Sequence, residues 1–260
     1  MKRTLTVLVA TALAVLLAPA PAEAAPKDPL SALKKLVAAG RGVSFTEAAG
    51  AGESGKPSFT RKGVLRFGKG GIAASDLTSK QIWKESDESS TWNEPERTIR
   101  IGTTSYTRGH LIGQQLPPGK TWWKQSPGWT SGVSAMFGNY LNVAEPATLK
   151  ALLADAERSG STYEGEISLK KLLKVSPWTR ATVWWKVNDK AKVGWRLVVT
   201  SSGLPRRLTT YAMGLDGPKE AEVRFTGWGA KVTVKAPPRG AVTTKLVGVD
   251  RPPLPPAPKR

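Results

Sequence analysis

His110, in "SYTRGHLIG", is the only histidine among the 260 residues. Serine-type hydrolysis needs a base within reach of a nucleophile and a third group to orient it. The chain has many serines, but no Gly-x-Ser-x-Gly elbow to present one. A metal site built on one histidine needs clustered carboxylates. The run "ESDE" at 85–88 stands alone among lysine neighbours and reads as a solvated loop. The glycine-rich "GKGGIAAS" lacks the Gly-Lys-Ser/Thr ending of a phosphate loop. No signature marks a pair of glycosidase carboxylates. There is no cysteine, which excludes disulfides, zinc–thiolate sites, thiol nucleophiles and iron–sulfur clusters. The sequence therefore reads as non-enzymatic, with no catalytic residue, metal or cofactor expected.

Ten tryptophans are the other chemical resource. Tryptophan offers a large apolar area and one N–H, which suits cavity walls and interfaces. Two pairs are adjacent, in "TWWK" (121–124) and "ATVWWKVN" (181–188). Read as a strand, the second pair divides between the two faces of a sheet. Trp185 shares parity with Val183 and Val187 and is expected inside. Trp184 shares parity with Lys186 and Asn188 and is expected outside, under a helix, a loop or a partner. The parity of Trp122 and Trp123 stays open. Trp among Arg and Lys also suits single-stranded nucleic acid, but no RNA-binding fold signature accompanies it, so no nucleic acid is expected.

Lys and Arg number 39 against 20 Asp and Glu, a formal charge of +19. Such a charge steers a protein toward polyanions. The chain opens with Lys2 and Arg3, an apolar run from Leu5 to Leu17, and the small pair Ala22-x-Ala24. That is the layout of a secretory leader cut after Ala24. The expected domains are a signal peptide at 1–24, one domain at 25–240, and a basic proline-rich tail at 241–260 that is expected to be disordered. Outside a bacterial cell the abundant polyanions are lipid headgroups and wall polymers.

The elements that must position these residues follow from periodicity. "DPLSALKKLVAAG" (28–40) reads as a helix with Asp28 as cap, Pro29 in the first turn and Gly40 as stop. Strand runs follow at 42–48, 63–67, 97–108 and 120–125, punctuated by Gly and Pro. A helical turn or two is expected in 133–143, a helix at 145–160, and a short helical segment at 166–176. From 181 the chain reads as antiparallel hairpins, ending with "AEVRFTGWG" paired to "KVTVKAP". The class is α+β, an antiparallel sheet with helices on one face.

The order of these pieces resembles the LppX/LprG type of cell-envelope proteins, related in fold to the LolA carriers. The likeness is carried by "DPLSALKKLVAAGRGVSFTEA", "TTSYTRGHLIGQQLPPGKTWWKQSPG", "YLNVAEPATLKALLADAERSG", "YEGEIS", "ATVWWKVNDKAKVGWRLVVTS" and "VRFTGWGAKVTVKAPP", together spanning roughly 28–238. It implies a curved antiparallel β half-barrel with helices covering the concave face and an apolar cavity between them. A secreted, non-enzymatic binder or carrier of a lipid or acyl-chain ligand is the function it implies. Strand alternation would then place Phe45, Ile99, Ile101, Val183, Trp185, Val187, Trp195, Leu197, Val223 and Phe225 on the cavity wall. Met136, Phe137, Leu149, Leu152 and Leu153 would form the lid. The family's lipoproteins carry an anchoring cysteine where this chain has Ala25, so release from the membrane is expected. The alternative is an envelope interaction protein that binds anionic wall polymer, membrane surface or a protein partner through its basic face.

Overall fold

The computed structural model describes residues 27–51, 56–82, 94–186, 188, 190–213, 220–250 and 253–257. The expected leader and the acidic run at 85–88 lie outside them. Helix α1 (Pro29–Leu36) starts as its sequence dictates: the Asp28 carboxylate accepts the Ser31 N–H at 2.7 Å, and Pro29 takes the first turn. Strands β1 (Arg41–Ala51), β2 (Pro57–Gly68) and β3 (Gly71–Gln81) then form successive hairpins. Gly70, at φ 87°, supplies the left-handed residue of the β2–β3 turn. Strands β4 (Glu96–Ile101) and β5 (Thr104–Arg108) divide the single run expected at 97–108 into a hairpin. Short α2 (His110–Gln114) leads to β6 (Trp122–Gln125).

The middle of the chain holds a 3-10 helix (Val133–Phe137), α3 (Pro146–Leu153), the short edge strand β7 (Glu157–Ser159), and β8 (Thr162–Ser168). Helices α4 (Leu169–Val175) and α5 (Pro177–Arg180) follow. Strands β9 (Lys192–Val199), β10 (Pro205–Met213) and β11 (Glu220–Lys231) complete the meander, and β12 (Val242–Thr243) is a two-residue edge.

All twelve strands form one open, curved sheet in the order 12-6-5-4-3-2-1-11-10-9-8-7. Every neighbouring pair is antiparallel except β12 with β6. Strand β1 sits at the centre, between β2 and β11, so the first strand pairs with the last long strand in mid-sheet. Both edge strands are very short, which limits the unpaired backbone open to another chain. The helices pack on one face. Leu33, Leu149, Leu152, Leu169, Leu172 and Trp178 join Val43, Phe45, Leu65, Phe67, Leu197 and Leu208 there in one core.

Two expectations are corrected. The stretch 181–186 is not a strand: α5 occupies 177–180, capped by Ser176, and 181–186 is turn and irregular chain. The stretch "KVTVKAP" is not a partner of β11. After Lys231 the chain crosses the opposite face of the sheet and buries Val234 against Ala74, Ile99 and Trp122. Within the tail expected at 241–260, residues 253–257 lie against the fold, with Leu254 and Ala257 buried against Ile112, Trp123, Trp129 and Val133.

Candidate functional site

The face under the helices has two chemically different halves. Over β8 to β11 and β1 it is apolar. Phe45, Val183, Trp195, Leu197, Val223, Phe225, Leu149 and Leu152 all lie in this core, with Leu153 and Trp185 packed on its rim. Phe137 packs against Ala49, Phe59 and Ala221, and Met136 is half-buried. Ile99 and Ile101 belong to the other face, because β4 alternates the opposite way: Glu96 and Thr98 point inward. Val187 lies outside the described residues.

Over β4 and β5, and around Glu47 and Arg61 on β1 and β2, the same face is polar and sealed. Glu47 and Arg61 are register partners on β1 and β2, and both are almost fully buried. The Arg61 guanidinium donates to Glu47 Oε2 through Nη2 at 2.6 Å and Nε at 3.0 Å. It also donates to Ser131 Oγ at 3.1 Å and to the Asn139 carbonyl at 3.2 Å. Glu47 Oε1 accepts the Asn139 N–H at 2.6 Å. Glu96 opens the 3-10 helix, accepting the Val133 N–H at 2.8 Å and the Ser134 hydroxyl at 2.6 Å. Glu145 precedes α3, accepting the Thr148 hydroxyl and the Trp178 N–H, each at 2.8 Å, and the Ser176 hydroxyl. Burial pushes the Glu96 and Glu145 carboxyls above the ordinary glutamate range, against the opposing pull of these hydrogen bonds.

Three buried carboxylates thus take N–H groups that the 3-10 helix, the Asn139 turn and α5 would otherwise leave unpaired. They fasten residues 131–182 onto the sheet. The sequence holds a signal for one of them, Glu47, and for its cation. Glu47 and Arg61 share parity with the apolar residues of "VSFTEA" and "FTRKGVLRF", so each stands at an inward position. The space that remains is small. One void of about 10 Å³ lies between Ser75, Arg100, Glu145 and Trp178, and another of about 10 Å³ between Phe45, Glu47, Arg61 and Trp178. Each is the size of a single water site.

His110 is buried at the start of α2, with φ 50°. It lines none of the grooves described here. Among the described residues, no group of three His, Asp or Glu side chains converges as a metal site would.

The opposite face carries the larger features. A groove of about 440 Å³ lies over β1 to β3, lined by Thr46, Thr60, Lys62, Thr78, Lys80 and Pro95. Through it runs one register row: Arg207 on β10, Arg224 on β11, Thr46 on β1, Lys62 on β2, Thr78 on β3, Arg97 on β4 and Arg108 on β5. Directly opposed residues share a face, so five cations and two threonines stand in line. With strands about 4.8 Å apart, the six steps cover about 29 Å, and Arg224, Lys62 and Arg97 recur about every 10 Å. Arg97 pairs with Asp76 at 2.6 Å, and Arg224 with Glu222 at 2.6 Å. Arg108 stacks over Trp122, 4.8 Å from the ring centre. Neither Lys62 nor Lys80 has an acidic partner among the described residues. A second groove, of about 390 Å³ over β8 to β10, is acidic, but its Glu164 and Glu166 pair with Arg196 and Lys192 at 3.1 Å.

No protein-family model matches this chain, and no curated protein matches it.

Proposed function

We propose that this is an exported, non-enzymatic envelope protein that holds a linear anionic polymer on the face of its sheet opposite the α-helices. The observation that carries the reading is the cation row from Arg207 to Arg108. A polyanion laid across the strands meets a positive charge at both ends and every second strand between, with threonine hydroxyls in the gaps. Arg and Thr side chains offer N–H and O–H donors to phosphate or carboxylate oxygens. The formal charge of +19 adds attraction at long range. The secretory leader read from the sequence supports an envelope location, where such polymers occur.

The single open sheet with helices on one face supports the finer fold reading, an LppX/LprG-type half-barrel. The interior weighs against an acyl-chain carrier. Ligand chambers run to about 300–1,000 Å³, whereas the voids under the helices hold about 10 Å³ each, and polar groups line one half.

The test is retention on an immobilised anionic polymer along a salt gradient, comparing wild type with Lys62→Glu/Arg224→Glu. Retention at low salt that weakens as ionic strength rises, and is largely lost in the double variant, is expected. Equal retention of both proteins would overturn the reading. Stoichiometric lipid in mass spectra of the purified protein would return the carrier to first place.

A further inference from the structure

The C-terminal residues 253–257, "PLPPA", are bound as a peptide ligand would be. Leu254 and Ala257 are buried, at 1% and 5% exposure, while Pro255 and Pro256 face solvent. Polyproline II has three residues per turn, so positions 254 and 257 fall on one edge of such a helix. That edge enters a cleft walled by Ile112, Trp123, Trp129 and Val133. Prolines have no N–H, and their carbonyls are the handles a binding site can grip. Here the Trp129 indole N–H donates to the Pro255 carbonyl, and Gln125 Nε2 donates to the Leu254 carbonyl at 3.1 Å. The Ala257 N–H returns a bond to the Pro127 carbonyl at 3.1 Å.

An aromatic cleft, an indole donor and consecutive gripped carbonyls are features shared with the recognition of extended proline-rich segments, with Leu254 and Ala257 as the apolar anchors here. We infer that this cleft is a docking site for an extended proline-rich segment of another protein, and that the chain's own tail is its resident competitor. Tethering gives the tail an effective concentration in the millimolar range. An incoming segment must therefore displace it, which sets a threshold for binding. The site lies apart from the cation row and does not depend on it.

The full-length Leu254→Glu variant tests this, because a carboxylate is not tolerated in the cleft and the tail is released. The probe is a labelled peptide of residues 251–260, read by fluorescence anisotropy. Saturable binding to Leu254→Glu is expected, at least about tenfold tighter than to wild type, where the tail competes. Adding Trp129→Phe, which keeps a ring and deletes the donor, should weaken binding about fivefold. A folded Leu254→Glu protein that ignores the peptide overturns the proposal, as does binding that Trp129→Phe leaves unchanged. Should Leu254→Glu not fold, wild type gives the reading. Millimolar peptide must speed hydrogen exchange at the Ala257 amide, and no change overturns the proposal. Wild type should sediment as a monomer; a tail-exchanged dimer would assign the cleft to a second copy and equally overturn it.

Discussion

Arg61 shows how one buried charge decides the character of an interior. Its guanidinium is satisfied by Glu47, Ser131 and the Asn139 carbonyl, and its plane lies within 5.8 Å of the Phe59 and Trp178 ring centres. Removing one partner of such a pair leaves the other buried and unpaired, which typically costs about 3–5 kcal/mol. Arg61→Ala should lose stability of that order in urea unfolding. Glu47→Gln/Arg61→Met should lose less than Arg61→Ala alone, because glutamine still accepts the Asn139 N–H and methionine refills the volume. Glu145 makes a pH-dependent prediction. Its folded-state pKa is raised, chiefly by burial, above the ordinary 4.5. Its contribution to stability is then fully present below about pH 4.5 and is lost as pH rises through the folded value. Glu145→Gln removes this titration. Its thermal midpoint relative to wild type should therefore climb from pH 4 toward pH 8, and a gap that stays constant or shrinks would contradict the assignment. The sequence marks Glu47 and Arg61 by their inward parity, but their pairing depends on register across two strands. Glu96 and Glu145 carry no such mark, because each acts at the start of a short helix built by tertiary contacts.

At the scale of elements, β1, β2, β6, β9, β10 and β11 were legible from alternation and from glycine or proline at their ends. β3 was hidden, because "GIAASDLTSK" has few β-branched residues and takes its strand form from β2 and β4 on either side. The misread strand at 181–188 has a physical explanation. "ATVWWKVN" alternates by accident, while "SPWTR" just before it carries the stronger local instruction. Ser176 caps, Pro177 opens the turn, and Thr182 continues the hydrogen bonding back to Trp178. The two tryptophans consequently divide between two cores rather than two faces. Trp185 meets Tyr140 at 5.6 Å in the main core, while Trp184 packs with the tail-binding cluster, edge-on to Trp185 at 5.8 Å. The crossing segment after β11 offers a further test. A Cβ on Gly42 would come 2.1 Å from the Leu65 carbonyl oxygen and 2.7 Å from Val232 Cγ2. Gly42→Ala should push that segment off the sheet and cost about 1–3 kcal/mol. Faster hydrogen exchange at the Val232 amide, which bonds the Gly40 carbonyl, would localise the damage.

The whole molecule places its two kinds of charge under opposite constraints. Buried acids are either ion-paired, as Glu47 is with Arg61, or hydrogen-bonded to N–H and hydroxyl donors, as Glu96 and Glu145 are, and they hold chain segments down. The exposed row instead lines up like charges: Arg207 directly opposes Arg224, and Arg97 directly opposes Arg108. Like charges in directly opposed positions destabilise a sheet by about 0.2–1 kcal/mol per pair. Glu222 and Asp76 relieve part of that strain, and the partially solvated ion pairs they make are worth little. The row thus sets like charges side by side at some cost to the fold, a cost that the proposed polymer would offset. Lys62→Thr/Arg224→Thr separates the two explanations. Threonine suits an exposed strand position, and the variant relieves repulsion along the row. Its thermal midpoint at low salt should therefore equal or exceed that of wild type, while its retention on anionic polymer falls. Adding salt to wild type should mimic the first effect and the second together, since both arise from the same unscreened charges. A variant that loses stability and keeps its retention would make the row a structural device and move the polymer site elsewhere on the surface.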